Sequence, residues 1–87
     1  MNPWFDAFLK GLPGSPALEL TREEASLVLD LAGAAARSTG ARQFAPLASY
    51  LAGRAAAATT VDERLALLRV AVDAATAAGP AEPLGIE

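Results

Sequence analysis

Residues 21–40, TREEASLVLDLAGAAARSTG, carry the start, body and end signals of one long helix. Thr21 and Glu24 have the Thr-x-x-Glu spacing of a capping box, in which a hydroxyl and a carboxylate satisfy amide groups at a helix start. Gly40 is typical of the residue that ends a helix. These signals predict a helix that begins at Thr21 and runs to about Ser38.

The apolar residues of this helix cover more than half of its circumference. One stripe at helical spacing consists of Ala25, Val28, Leu29, Ala32, Ala35 and Ala36. The stripe is widened by Leu27, Leu31 and Ala34. A clear solvent face is left at Ser26, Asp30 and Arg37. A helix this apolar is expected to be central, with neighbours on two sides.

A second capping box, Thr60-x-x-Glu63, predicts the start of another helix. Gly79 and Pro80 should end it. The expected core seam of this helix is Val61, Leu65, Leu68, Val72 and Ala75, which recur by four and three residues.

A helix between these two is predicted to begin near residues 43–46 and to run to about Ala58, because Pro46 belongs in a first turn. Its expected core stripe is Phe44, Leu47, Leu51, Ala55 and Ala58. Close approach of a neighbouring helix would be allowed by the small residues Ala48, Ala52, Gly53 and Ala56.

A short helix is predicted before the Gly- and Pro-containing loop of residues 11–20. Asn2 can cap it, Pro3 suits its first position, and Gly11 should end it. Trp4 and Phe8 lie four residues apart and therefore share a face. We expect them to anchor the helix to the core; the alternative is an aromatic platform for a ligand.

Alanine and leucine, the strongest helix formers, dominate the composition, with 22 Ala among 87 residues. The sequence therefore predicts an all-α fold, a compact bundle of one short and three longer helices. Residues 1–79 should form this single helical domain, and residues 80–87 a flexible C-terminal tail. The longest apolar stretch, residues 45–58, is interrupted by Arg54 and is shorter than the roughly 20 residues of a membrane span.

The residue inventory argues against catalysis. The chain has neither Cys nor His, which removes thiolate nucleophiles, the commonest general base and the commonest metal ligands. The adjacent carboxylates stand at helix starts, where capping explains them. We therefore expect no enzyme, no catalytic residue, no metal site and no cofactor. The net charge of −3 also weighs against nucleic-acid binding.

One stretch of this acidic chain is cationic. Residues 31–61 contain no Asp or Glu but hold three arginines. The candidate anion-binding residues are therefore Arg37, Arg42 and Arg54 with Tyr50, because guanidinium groups suit phosphate and carboxylate. The alternative is that these are ordinary solvated arginines.

A second candidate feature is an apolar strip away from the core seam of the last helix. It comprises Leu67, Val70 and Ala74. If exposed, the strip predicts a contact with another protein or with a second copy. Alternatively, the loop of residues 11–20 or the tail covers it.

Three sequence blocks resemble a family of small, uncharacterised actinobacterial domains. They are Met1-Asn2-x-Trp4, Leu29-Asp30-Leu31-Ala32 and Arg42-x-x-Ala45-Pro46-Leu47-x-x-Tyr50-Leu51-x-Gly53. Members of this family occur alone or fused to molybdenum cofactor guanylyltransferase. The resemblance covers residues 1–78 and implies an accessory role near molybdenum cofactor maturation. It implies no nucleotidyltransferase activity, because the Gly-rich nucleotide site is missing.

These observations leave three hypotheses for a chain that we expect to be cytoplasmic, with no membrane partner. The first is a helical accessory module that binds a protein such as the guanylyltransferase or a molybdoenzyme assembly factor. The second is a domain that binds a small anion, such as a nucleotide or a pterin phosphate. The third is a homodimeric helical regulatory protein.

Overall fold

The computed structural model describes residues 3–14, 16, 18–57 and 59–85. Over these residues the chain forms four α-helices and no strand: α1 (Pro3–Lys10), α2 (Arg22–Thr39), α3 (Phe44–Ala55) and α4 (Val61–Ala78). The predicted all-α bundle of one short and three longer helices is confirmed. The α3 helix ends at Ala55, earlier than predicted, and the proposed roles of Asn2 and Ala58 fall outside the described residues.

The α2 and α4 helices lie side by side and parallel. Arg64 at the start of α4 binds Glu24 at the start of α2, and after the end of α4 the Gly79 N–H donates to the Ser38 hydroxyl near the end of α2 (2.9 Å). The connecting helix α3 runs back between these ends and packs on α2, with far less contact to α4. The prediction that α2 is central is therefore confirmed.

The core sits where the three longer helices meet. Its buried cluster consists of Leu31, Ala52 and Leu68. Packed against it are Leu27, Val28, Ala48, Ala71, Val72 and Ala75. The seam predicted for α4 is confirmed at Leu65, Leu68, Val72 and Ala75, whereas Val61 is exposed. None of the four described helices has the length and apolar character that crossing a bilayer requires.

The α2 helix is rotated relative to the stripe expected from the sequence. Leu29, placed in that stripe, is 73% exposed, and the buried residues are Glu24, Leu31, Ala34 and Ala35. Glu24 faces inward because Arg64 of α4 binds it, and this orientation turns Leu29 outward. The predicted solvent face of Ser26, Asp30 and Arg37 is confirmed.

The α1 helix stands apart from the core. None of its Cα atoms lies within 8 Å of a Cα atom in another described helix. Trp4 and Phe8 are 62% and 50% exposed, so the prediction that they anchor α1 to the core is wrong. Their rings instead stack on each other with centroids 5.3 Å apart, and Phe5 meets Trp4 edge-on.

The threonine half of both predicted capping boxes is present, whereas no described hydrogen bond joins either glutamate carboxylate to a backbone amide. Thr21 Oγ1 accepts the Glu24 N–H (3.1 Å), and Thr60 Oγ1 accepts the Glu63 N–H (3.2 Å). In each case the threonine hydroxyl also donates to the glutamate carboxylate. Glu63 stays exposed, whereas Glu24 is 6% exposed and is ion-paired. Two identical sequence motifs thus have different tertiary roles.

The guanidinium of Arg64 joins three parts of the chain. Nε donates to Glu24 Oε2 (2.8 Å), and Nη2 donates to Oε1 (3.1 Å), forming a forked pair. Nη1 donates to the Thr59 carbonyl (2.7 Å) in the connection between α3 and α4. The hydrogen bonds from Arg64 lower the pKa of Glu24, although burial of the carboxyl opposes them by raising it.

Replacing Glu24 by Ala should lower the free energy of unfolding by about 2 kcal/mol more than Glu63→Ala does. Both changes remove a carboxylate from the same position of an N-terminal turn, but only the first leaves the Arg64 guanidinium without its buried partner. Urea denaturation followed by circular dichroism measures the difference. Equal losses would show that the ion pair adds nothing to the cap.

The ion pair should also make stability depend on pH. Because the folded state lowers the pKa of Glu24 from its ordinary 4.5, this group stabilises the fold fully above that value. Its contribution is lost as the pH falls through the lowered pKa of the folded state. The melting-temperature gap between the parent chain and Glu24→Gln should therefore narrow from about pH 5 downward.

The matched control for this pH series is the same Gln substitution made in an Arg64→Met background. Removing the guanidinium removes the largest cause of the lowered pKa, so the gap should lose most of its pH dependence. If the melting-temperature difference between the parent chain and Glu24→Gln stayed constant with pH while Arg64 was present, the predicted coupling between Glu24 and Arg64 would be refuted.

Candidate functional site

An apolar groove runs between α3 and α4, with α2 as its floor. It encloses about 350 Å³ near the end of α2. Its lining residues, which define the α3–α4 groove, are Ala35, Thr39, Phe44, Leu47, Ala48, Leu51, Ala75, Ala78 and Leu84. The groove exists because α3 and α4 each pack on α2 but scarcely touch each other.

The wall that α3 contributes is made by its larger residues. Ala52 and Ala56 are buried and Ala48 packs against the core, whereas Leu47 and Leu51 are 43% and 60% exposed. The core stripe predicted for α3 is therefore wrong at Leu47, Leu51 and Ala55, all of which are exposed. The predicted small-residue surface is confirmed at its three alanines, but Gly53 is exposed.

The packing surface of α3 is alanine because α3 lies close to α2. Small side chains let two helix backbones approach each other, and a leucine at Ala52 would have to push α2 and α3 apart. The helix is therefore rotated so that Leu47 and Leu51, which lie four residues apart, face the groove and the solvent. This orientation leaves an apolar surface that is not part of the core.

Among its described lining residues, the groove offers no free polar side chain. Thr39 carries the single hydroxyl among the lining residues, and that hydroxyl is engaged with the backbone. It donates to the Ala35 carbonyl (2.6 Å) and accepts the Ala41 N–H (3.2 Å). The lining therefore suits apolar side chains and provides no anchor for a phosphate or a carboxylate.

Two of the four predicted anion-binding residues are brought together. The Arg54 guanidinium lies over the Tyr50 ring, 5.7 Å from its centroid, and both side chains are exposed. Arg42 is exposed in the turn before α3. Arg37 folds back along α2, because its Nη1 would lie 2.8 Å from a Cβ placed on Gly33.

Those four residues do not form one cluster by any described contact. No hydrogen bond or ion pair between described residues links Arg37 or Arg42 to Arg54 or Tyr50. An anion site therefore stays a prediction. What the arrangement does provide is positive charge beside the groove, since Arg54 follows Leu51 by three residues and Arg42 precedes Phe44 by two.

The apolar strip predicted on α4 is largely exposed. Val70 is 67% exposed, Ala74 is exposed and Leu67 is half-buried. Ala74 precedes the groove residue Ala78 by one helical turn, so the strip adjoins the α4 wall of the groove. Arg42, Arg54 and the strip of α4 thus lie close in sequence to residues of one groove, whereas Arg37 lies on α2.

A second cleft, of about 670 Å³, lies between α1 and the residues that lead into α2. Its apolar lining consists of Phe5, Phe8, Leu9, Leu18 and Leu20. Asp6 and Glu19 also line it, so this cleft is acidic where the groove is apolar. Because Phe5 and Phe8 line this cleft, the hypothesis that the aromatic residues of α1 form a platform for a ligand stays a prediction.

Within the described residues, no three carboxylates come together as a metal site would require. Comparisons with protein-family models, with curated proteins and with solved structures found no match to this chain. The case for function therefore depends on the geometry of the groove and its surroundings.

The orientation of α3 can be tested with two alanines. Ala52→Leu should lower the free energy of unfolding by about 1–3 kcal/mol, because a buried contact between α2 and α3 becomes overpacked. Ala55→Leu, on the exposed side of the same helix, should change it by less than about 0.5 kcal/mol. Thermal and urea denaturation measure both. If Ala55→Leu proved the more damaging, α3 would be rotated as the sequence stripe predicted.

Proposed function

We propose that this chain is a non-enzymatic, cytoplasmic protein-interaction module whose α3–α4 groove receives an amphipathic helix of a partner protein. The observation that carries the proposal is the outward orientation of Leu47 and Leu51 beside a wholly apolar groove. A soluble helix would ordinarily bury such residues, and a groove of this kind is a common seat for the apolar face of another helix.

The arginines on the α3 side of the groove favour acidic residues on the partner helix there, whereas Glu82 stands in the segment that follows α4. Arg42 and Arg54 lie within residues 31–61, which contain no acidic residue although the chain as a whole has a charge of −3. Acidic residues on the partner would meet positive charge there and would be repelled by the rest of the surface. Such complementarity mainly speeds association and fixes orientation, while the apolar contacts supply affinity.

The identity of the partner comes from the resemblance of three sequence blocks to domains that accompany molybdenum cofactor guanylyltransferase. The partner in this proposal is that guanylyltransferase, or an assembly factor of the molybdoenzymes that use its product. The most specific of the three blocks, residues 42–53, includes Leu47, Leu51 and Tyr50, which line or adjoin the groove.

The groove favours a protein ligand over the small anion of the alternative hypothesis. Its lining residues present hydrocarbon, and the Thr39 hydroxyl is already bonded to Ala35 and Ala41. An anion bound at Arg54 would be held by one exposed guanidinium, which also contacts Tyr50. Exposed single ion pairs contribute little to affinity in water.

Substituting Leu51 by Asp should weaken binding to the guanylyltransferase at least about tenfold, because it places a carboxylate against the apolar face of the incoming helix. The matched control is Leu29→Asp, which makes the same change at a leucine of α2 that is even more exposed, 73% against 60%, and lies outside the groove. This control should change affinity less than about twofold. Isothermal titration calorimetry measures both.

Equal affinities for the parent and Leu51→Asp chains would overturn the proposed site. Sedimentation of the isolated chain separates the third hypothesis from the first. If the chain dimerises and Leu51→Asp makes it monomeric while the guanylyltransferase does not bind, the groove serves self-association rather than a different protein.

A further inference from the structure

The segment that follows α4 crosses one end of the α3–α4 groove. The Ala81 N–H donates to the Thr39 carbonyl (3.3 Å), and the Leu84 N–H donates to Gln43 Oε1 (2.8 Å). These two bonds hold residues 80–85 along the turn between α2 and α3. The segment thus has defined contacts at the end of the groove nearest that turn.

Leu84 is the part of this segment that lines the groove. Its side chain is 47% exposed and belongs to the groove lining together with Phe44, Leu47 and Leu51. About half of the leucine is therefore withdrawn from water. Pro80 and Pro83 limit the conformations of the segment when it is released, which reduces the entropy lost when it is seated.

We infer that residues 80–85 act as a strap that occupies one end of the groove and competes with the partner helix. The inference rests on the proposed function for its partner, but the seating of Leu84 is independent of it. A helix laid along the full length of the groove would pass over Phe44, Leu47 and Leu51, which line the groove together with Leu84. The two occupants therefore exclude each other at that end.

The contacts that hold the strap are few and easily replaced. Among the described residues, it is held by two hydrogen bonds that its backbone N–H groups donate, to the Thr39 carbonyl and to the Gln43 side chain, and by one half-exposed leucine. Water can replace those hydrogen bonds, and a partner helix would bury more apolar surface than Leu84 does. Because only chains with a vacated groove bind, the apparent affinity falls by the fraction of chains in which the strap is released.

The seating of Leu84 is tested first without a partner, using Leu84→Ser in the full chain. The methyl resonances of Leu47 and Leu51 should shift, because a side chain that lines the same groove is removed. The control is Leu18→Ser, at an exposed leucine of another irregular segment, which lines the cleft beside α1. Unchanged Leu47 and Leu51 methyl resonances in Leu84→Ser would overturn the strap.

Competition is tested with a defined probe, a stapled peptide helix of roughly four turns with leucines on one face and glutamates on the other. Leu84→Ser should bind the probe about fivefold more tightly than the parent chain does, because displacement of a half-buried leucine no longer opposes binding. Leu18→Ser should bind it as the parent does. Equal affinities for Leu84→Ser and the parent would overturn the competition.

The proposed function and the strap are contradicted by different results. If the probe and the guanylyltransferase bind neither the parent nor Leu84→Ser, the proposed function fails and the competition fails with it. In that case shifted Leu47 and Leu51 methyl resonances would still establish that Leu84 is seated in the groove. If binding occurs but Leu84→Ser changes neither spectrum nor affinity, the strap alone is rejected.

Discussion

The forked ion pair between Glu24 and Arg64 is the constraint on which the arrangement of the helices depends. A carboxylate that is 6% exposed is tolerated only when its oxygens are satisfied, and here they accept from the guanidinium and from the Thr21 hydroxyl. Shifting α4 along α2 by one turn would bury the carboxylate without its cation. The pair therefore fixes the register of the two parallel helices, in addition to any net stability that it supplies.

The groove follows from that register and from the distribution of alanine. Because α2 and α4 are held side by side along their whole length, α3 must return across α2 to connect them. It packs on α2 through Ala48, Ala52 and Ala56, which allow close approach but fill little volume. The α4 residues that face this space, Ala75 and Ala78, are equally small. The space between α3 and α4 therefore stays open, and its walls are apolar.

Much of the secondary structure can be read from the sequence because its signals are local. Thr21, Thr60 and Gly40 mark helix ends through interactions that span only a few residues. The rotation of each helix is harder to predict, because alanine is compatible with both core and surface positions. On α3, the assumption that leucines face the core predicts that Leu47 and Leu51 are buried. In the structure the buried residues are alanines, because they let α3 pack closely on α2.

The candidate site was only partly predictable, because it depends on how the helices pack and not on local sequence signals. Arg42 and Arg54 of the acid-free stretch and Ala74 of the α4 strip lie close in sequence to residues of one groove, but they are not among its described lining residues, and the groove itself has no sequence signature. Neither the Glu24–Arg64 contact nor the Leu84–Gln43 contact has a local signal, since each joins residues about forty positions apart. Leu84, the one large apolar residue of residues 80–85, is the sequence hint that this segment packs on the domain.

The groove and the strap can be understood as two consequences of a small core. The buried large side chains of the described residues are Leu31, Leu65 and Leu68, and the rest of the buried apolar set is alanine. Such a core leaves apolar surface that a domain of this size cannot cover by itself. Leu84 covers part of it from within the chain, and a partner that covered more would stabilise the fold in proportion to its own affinity. The stability of the complex and the recognition of the partner would then both depend on Leu47 and Leu51 of α3. The residues available for binding are those that the isolated fold does not bury.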